Sequence, residues 1–255
     1  MTRADVTRVV VCAGGLGTRI ASWARYIPKE FYPIDGRPGI VHLLEEIAAL
    51  GQDGHDSYHH AARLPAAALP LAALTVSFIT QDGPYADITS VLNGAGYLGS
   101  HEDLYVAFAD NLYRGDNPLL ALQAAPPGCP AVLGRPYQPE LAASRGVIAA
   151  RRHQGRLLML DLAEKPAPDA ARALEQRYGT RNLLLLEGRA RLTASFIRFA
   201  PGYQAPAGTE PKLALAIAAY ARTHPVVVTT TSSQVIDLGM TNPQAAAPAT
   251  ARSLQ

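Results

Sequence analysis

Four positions in this chain put a polar side chain at the end of an apolar run, where an open α/β sheet binds its ligands. Arg19 closes Ala13-Gly14-Gly15-Leu16-Gly17-Thr18-Arg19 behind Val9-Val10-Val11-Cys12, and Gln81-Asp82-Gly83 follows Phe78-Ile79. Asp110 follows Val106-Ala107-Phe108, and Asp237 follows Val235-Ile236. A glycine-rich loop behind a strand lets backbone N–H groups close on an anion, because glycine has no Cβ in the way. Arg19 adds a bidentate partner, and Lys29 supplies a second cation in Ile27-Pro28-Lys29-Glu30. Two isolated carboxylates, Asp110 and Asp237, fit Mg²⁺, which takes one or two carboxylates and completes its shell with phosphate oxygens and water. Either aspartate taken singly also suits a turn or a helix cap. Glu164-Lys165-Pro166 sets an acid and a base side by side, where the plain alternative is a solvated loop.

The opening loop is neither of two better-known phosphate motifs. Gly15 and Gly17 fill the first two places of a G-x-G-x-x-G fingerprint, but Ile20 stands at the third, and no lysine follows as a P-loop requires. A nicotinamide-dependent dehydrogenase also needs an acidic residue ~20 residues further on, at a second strand, and none is found.

Those residues need a scaffold, and the rest of the chain describes one. The 255 residues allow one substantial domain, with 48% hydrophobic and 17% charged residues. The net charge of +2 comes without a block of like charge, which argues against nucleic acid or an acidic membrane surface as partner. Lys29, Lys165 and Lys212 are the only lysines. Cys12 and Cys129 are too few for a disulfide framework. The short, charged start leaves no room for a signal peptide, and no apolar run reaches the ~18 residues of a membrane span. A cytoplasmic protein is expected.

Residues 39–50 read as an amphipathic helix ended by Gly51, with Ile40, Leu43, Leu44 and Ile47 on one face. Helices are also expected over 86–97, 118–124, 169–178 and 212–223. Strands are expected at 75–80, 104–108, 131–133 and 182–186, in a hairpin of 146–150 and 157–162 around Gln154-Gly155, and at 226–231 and 234–237. Residues 192–197 suit either state. The alternation predicts an α/β fold around a mostly parallel sheet with antiparallel additions. One stretch breaks the pattern. After Gly51 comes a polar, His-rich segment and then an alanine-rich one, where a βαβ order would place its second strand.

Taken together, the motifs resemble the sugar-phosphate nucleotidylyltransferases. Eight pieces occur in that family's order: residues 13–19, Pro28-Lys29-Glu30-Phe31-Tyr32-Pro33, Gln81 with Gly83, Phe108-Ala109-Asp110-Asn111, Arg145-Gly146-Val147, Ala163-Glu164-Lys165-Pro166, Glu187-Gly188-Arg189 and Ile236-Asp237-Leu238-Gly239. The Pro-Lys-Glu form resembles UTP-glucose-1-phosphate uridylyltransferases, and Ala-Asp-Asn-Leu-Tyr resembles glucose-1-phosphate thymidylyltransferases. The resemblance implies a Rossmann-like three-layer sandwich of the nucleotide-diphospho-sugar transferase type. It implies a single domain over 1–242, with a nucleotide-binding part to about residue 115, a sugar-binding part from about 130 to 242, and a flexible tail over 243–255. The implied reaction joins an NTP, UTP or dTTP, to a sugar 1-phosphate such as glucose 1-phosphate, with Mg²⁺ and release of pyrophosphate.

By the same resemblance Arg19, Lys29 and Asp110 are catalytic, and Asp110 and Asp237 hold Mg²⁺. Gly14, Gly15, Gly17, Thr18, Gln81 and Gly83 bind the nucleotide, while Gly146, Glu164, Lys165 and Glu187 bind the sugar phosphate. Homo-oligomers are common in the family, though the sequence shows no interface. Departures stand beside the matches. Gly83-Pro84-Tyr85-Ala86-Asp87 replaces a Gly-Leu-Ala type of sequence, Ala109 replaces a glycine, and the second strand is missing. Either residues are omitted after Gly51 or the strand is deleted; the intact later motifs favour omission, and an intact mass several kilodaltons above 27.1 kDa is its test. The rival function is a catalytically weak homologue that binds a nucleotide or nucleotide sugar as a regulator.

Overall fold

The structure is a computed structural model and describes residues 7–13, 28–51, 74–206 and 208–239. In chain order the elements are β1 (Arg8–Cys12), β2 (Pro33–Ile34), β3 (Arg37–Pro38), α1 (Gly39–Ala48), α2 (Asp87–Ala95), β4 (Leu104–Phe108), β5 (Asn111–Arg114), α3 (Pro118–Gln123), β6 (Ala131–Pro136), β7 (Gly146–His153), β8 (Arg156–Glu164), α4 (Pro168–Tyr178), β9 (Leu183–Leu192), α5 (Ala194–Phe199), α6 (Leu213–Ala221), β10 (Val227–Thr230) and β11 (Gln234–Asp237). The chain divides into two interleaved units. The first takes Met1–Val10, Ser77–Ala107 and Pro118–Ser232, and the second Val11–Val76, Phe108–Asn117 and Ser233–Gln255.

The first unit is built on a seven-stranded sheet in the order β1-β4-β9-β6-β10-β8-β7. A further β9–β7 pairing joins the far strand back to β9, so that β9, β6, β10, β8 and β7 close on one another. The result is a mixed α/β fold with a central sheet. The direction of its strands departs from the expected parallel majority. Among the ladders described, β6–β10 is parallel, while β4–β9, β6–β9, β7–β8, β7–β9 and β8–β10 are antiparallel. Alternating helices and strands do not fix strand direction, because a long hairpin satisfies the same local pattern as a crossover.

That hairpin was legible. β7 and β8 pair from Gly146↔Glu164 to His153↔Arg156, and Gln154 (φ 48°) and Gly155 (φ 79°) turn between them. Two consecutive left-handed residues suit the right-handed twist of the flanking strands. The strands bury Val106, Leu133, Val147, Ile148 and Leu185 completely, each worth roughly 1.5–3 kcal/mol. Helix α4 lays Ala171 and Leu174 on Val147, Ala149, Leu183 and Leu185. Gly94 lets α2 approach β1, since a Cβ there would collide with the Val10 side chain.

Strand β9 runs six residues beyond the expected end at 186, through Glu187, Arg189 and Arg191, all buried. The Arg191 guanidinium donates to the carbonyls of Gln123, Ala125, Pro126 and Cys129, with Asp103 at 3.5 Å. Those acceptors lie far away in sequence, so nothing local marks these charged residues as buried strand. The ambiguous 192–197 segment resolves into the end of β9 and α5, capped where the Phe196 N–H donates to Thr193 Oγ1.

The expected strand at 75–80 has no ladder among the described residues, and Val76, Phe78 and Ile79 are 56%, 99% and 44% exposed. A strand needs a partner, and β1 stands at the end of the sheet order with β4 as its neighbour there. Residues 52–73 lie outside the described residues.

Asp87 accounts for one of the sequence departures. Its carboxylate accepts the N–H of Leu213, the first residue of α6, at 2.8 Å and so caps a helix more than a hundred residues away. Burial pushes its pKa up, against the lowering effect of that hydrogen bond. Asp87→Ala should cost about 1 kcal/mol, while Asp87→Asn keeps the acceptor. With the folded value raised, the folded chain holds this proton longer than the unfolded chain. Stability therefore falls as pH climbs from the ordinary Asp range through the raised value, and Asp87→Asn should remove that part of the fall. Urea unfolding from about pH 4 to pH 8 measures both effects.

In the second unit, β2 and β3 form a tight hairpin turned by Asp35 (φ 51°) and Gly36 (φ 77°). Helix α1 follows, matching the expected helix, with a last turn of 3₁₀ type over Ala49–Gly51. Its first residue, Gly39, touches Leu112, Leu238 and the Glu30 carbonyl so closely that a Cβ would lie 2.9–3.2 Å from them. β5 and β11 pair antiparallel from Gln234↔Arg114 to Asp237↔Asn111. Among the described residues no helix is long and apolar enough to cross a membrane.

Candidate functional site

The β5–β11 ladder brings two distant carboxylates to one place in the second unit. Asp237 ends β11 opposite Asn111, and Asp110 immediately precedes β5. The Leu238 N–H donates to the Asp110 carbonyl at 2.7 Å, locking the turn beyond the ladder. Gly39 gives Leu238 its seat, and Leu238 in turn is buried.

Gly239 marks the centre of this cluster. A Cβ there would lie 3.2 Å from Asp237 Oδ1, 3.7 Å from Asp110 Oδ2 and 3.9 Å from Lys29 Nζ, so three charged groups surround one bare backbone position. Lys29 forms an ion pair with Asp110 Oδ2, and Asn111 Nδ2 donates to Asp110 Oδ1 at 2.7 Å. Asp237 Oδ1 accepts the Gly239 N–H at 2.8 Å. Glu30, beside Lys29 at 4.0 Å, is buried; desolvation pushes its pKa up, Lys29 opposes this and Asp110 adds to it. Lys29, Asp110 and Asp237 were all named from sequence, and the fold joins them. Gly239 was not singled out, although it closes the quoted Ile236-Asp237-Leu238-Gly239 motif.

Two carboxylates at one position, one of them paired with a lysine, suit Mg²⁺, which takes one or two carboxylates and completes its shell with phosphate oxygens and water. Among the described residues no group of three His, Cys, Asp or Glu side chains gathers as a protein-only metal cage would need. The glycine-rich loop residues Gly14, Gly15, Gly17, Thr18 and Arg19 lie outside the described residues.

The first unit holds the other candidates. Gln81 is fixed at both ends of its amide: Nε2 donates to the Pro84 carbonyl at 2.6 Å and Oε1 accepts from Ser90 Oγ at 2.8 Å. Asn93 ties down Asp82, accepting its N–H and donating to its carbonyl. Gly83, with φ 109°, takes a conformation that side-chain-bearing residues avoid, and Thr89 would crowd a Cβ at 3.3 Å. This loop is held in one shape from α2.

Glu164, Lys165 and Gly146 also meet. Gly146 and Glu164 are register partners, and a Cβ on Gly146 would come 3.2 Å from Glu164 Oε2 and 3.0 Å from Leu186. Lys165 follows in a left-handed conformation, φ 48°, with its N–H donating to the Arg145 carbonyl at 3.1 Å. Strain of that kind, about 1–3 kcal/mol for a residue with a side chain, clusters at functional sites. Glu187 joins this group through Arg145, whose carbonyl receives the Lys165 N–H. Its side chain has no exposed surface and is paired with Arg135 and, at 3.6 Å, with Arg145. Sequence reading missed these arginines and Lys212, because pairings between distant strands leave no local signal.

No protein-family model matches the chain, and no curated protein matches it either. Solved structures do. A UDP-glucose pyrophosphorylase complexed with UDP-glucose has a TM-score of 0.69 at 19% identity, covering 92% of this chain and 94% of that one. A Bacillus anthracis protein assigned as a glucose-1-phosphate thymidylyltransferase scores 0.70 at 15% identity, covering 98% and 97%. The inositol-1-phosphate CTP transferase of T. maritima scores 0.63 at 14% identity, covering 98% and 95%. The chain therefore has the fold of the sugar-phosphate nucleotidyltransferase structures, the group its motifs resemble.

Proposed function

We propose that this chain is a cytoplasmic sugar-1-phosphate nucleotidylyltransferase, joining an NTP to a sugar 1-phosphate and releasing pyrophosphate. UTP is favoured as the NTP, with dTTP the alternative, and a glucose 1-phosphate-like compound as the sugar. The observation that carries this reading is the gathering of Lys29, Asp110 and Asp237 around the bare backbone of Gly239. Within it, the chain is one catalytic domain over 1–242 arranged as a Rossmann-like three-layer sandwich, with a tail over 243–255.

Displacement at the α-phosphate needs alignment and charge neutralisation more than a general base, since a phosphate nucleophile is already ionised at neutral pH. Lys29 sits on the α-phosphate, where charge concentrates. Arg19 and the backbone of Gly14, Gly15, Gly17 and Thr18 hold the departing phosphates. Asp110 and Asp237 would hold Mg²⁺, which would supply positive charge against the phosphates. Gln81, with the backbone at Gly83, takes the Watson–Crick edge of a pyrimidine. UTP and dTTP share that edge and differ at the base by a methyl, worth only ~1–3 kcal/mol in an apolar pocket. Lys165 takes the phosphate of the sugar 1-phosphate and Glu164 accepts its hydroxyls. Glu187 serves that end as the partner of Arg145.

The exposed, unladdered 75–80 segment leading into Gln81 favours a second reading: a weak homologue that binds nucleotides or nucleotide sugars as a regulator. Incubation with each NTP, Mg²⁺ and a panel of sugar 1-phosphates separates the two. Pyrophosphate release that needs both substrates supports the enzyme. Nucleotide binding without release under any combination supports the regulator.

A further inference from the structure

Lys212 has a place in the first unit that no motif assigned. Its Nζ donates to Glu164 Oε1 at 3.2 Å, while the neighbouring Lys165 Nζ stays 3.8 Å from that same oxygen, beyond hydrogen-bonding distance. The three side chains grade in exposure: Glu164 is 14% exposed, Lys212 25% and Lys165 45%. The more buried lysine holds the carboxylate, and the more exposed one reaches outward.

The position is a poor one for a lysine on local grounds. Lys212 is the N-cap of α6, where the helix dipole disfavours a cation, and its side chain makes no capping bond. The cap comes from Asp87 instead. What the position offers this lysine is the Glu164 carboxylate, which offsets the unfavourable helix end.

We propose that Lys212 is a positioning residue for the sugar-phosphate site: it takes the hydrogen bond of Glu164 and so keeps Lys165 in a looser 3.8 Å ion pair, from which its ammonium can turn to a phosphate. This rests on the proposed reading of Glu164 and Lys165 as sugar-phosphate ligands. Without Lys212, the adjacent Lys165 ammonium becomes the nearest cation to Glu164 and closes on it, so the phosphate must compete with an internal carboxylate. Lys212 also pins Oε1, so that the carboxylate stays over Gly146 with Oε2 against it. Asp87 and Glu210 are the other carboxylates felt nearby; Asp87 is committed to the Leu213 N–H, and Glu210 is exposed.

Lys212→Met is expected to raise KM for glucose 1-phosphate about tenfold, the loss of one charge-assisted contact, with KM for the NTP unchanged. Lys212→Arg should recover most of the loss. Adding Glu164→Gln to Lys212→Met should relieve inhibition of phosphate binding, read as tighter competition by inorganic phosphate than in Lys212→Met alone. Calorimetry with glucose 1-phosphate, without NTP, gives the same comparison independently of turnover. An unchanged affinity in Lys212→Met, or an equal rise in both KM values, overturns the assignment. If no NTP supports turnover the enzyme reading falls, yet tenfold weaker calorimetric binding in Lys212→Met sustains the role of Lys212; absence of glucose 1-phosphate binding by the wild type overturns it.

Discussion

Asp110→Asn should lower kcat about 10³-fold while the chain stays folded, because the substitution removes one of the two carboxylate charges at the Gly239 cluster and nearly none of its volume. The asparagine keeps an oxygen for Asn111 Nδ2 and leaves untouched the backbone carbonyl that receives the Leu238 N–H. What it cannot keep is the charge opposite Lys29, whose side chain is only 11% exposed. Glu30, at 4.0 Å, and Asp237 of the same cluster are the carboxylates left near it. The stability cost should accordingly stay within about 1–3 kcal/mol, that of a polar group deprived of its partner. Pyrophosphate release measured beside urea unfolding separates the two effects. A variant with wild-type turnover would remove Asp110 from the metal site.

Lys29→Met is expected to lower kcat by roughly 10²- to 10³-fold, the usual result of removing one donor aimed at developing negative charge. Its effect should fall on kcat more than on KM for the NTP, since the α-phosphate gains the most from a nearby cation as the reaction proceeds. The two variants are not independent. Lys29 and Asp110 are ion-pair partners, so Lys29→Met leaves Asp110, 25% exposed, in the same cluster as Asp237 without its counter-charge. Combining the substitutions should therefore cost less than the product of the separate losses. Full additivity in the double variant would mean that the pair does not act as a unit. Uniform loss of NTP binding, with kcat intact, would move Lys29 to a purely binding role.

The residues that could be read correctly are those whose signal is local. Gln154-Gly155 announced its hairpin because the turn demands left-handed backbone and glycine supplies it. Residues 234–237 and 104–108 were bounded as strands by β-branched and aromatic runs, and the structure keeps those bounds. Asp110 and Asp237 were legible as carboxylates after apolar runs, and β5–β11 explains why such positions meet. β5 itself was missed, since Asn111-Leu112-Tyr113-Arg114 is too short and mixed to stand out.

What stayed hidden depends on partners far along the chain. Arg189 and Arg191 look solvated until the carbonyls around residues 123–129 are seen to receive Arg191. Residues 75–80 have the composition of a strand, but composition does not supply a ladder. Strand direction was misjudged for the same reason: the local pattern is common to parallel and antiparallel neighbours. The lysine at 212 was visible only as one of three, and its carboxylate lies 48 positions away.

Strand β9 has a consequence for the order of assembly. It pairs with β4, β6 and β7, so elements spread from residue 104 to residue 153 all wait for residues 183–192. During synthesis β4, β6 and β7 are made before the strand that joins them, while the β2–β3 and β7–β8 hairpins close locally and β1 has β4 as its neighbour. Contacts of such long sequence separation slow folding and leave nascent strand edges open in the meantime. A chain stopped short of β9 should emerge with its local pairings but without the ladders that join β4, β6 and β7, whereas one extended through it gains those three at once.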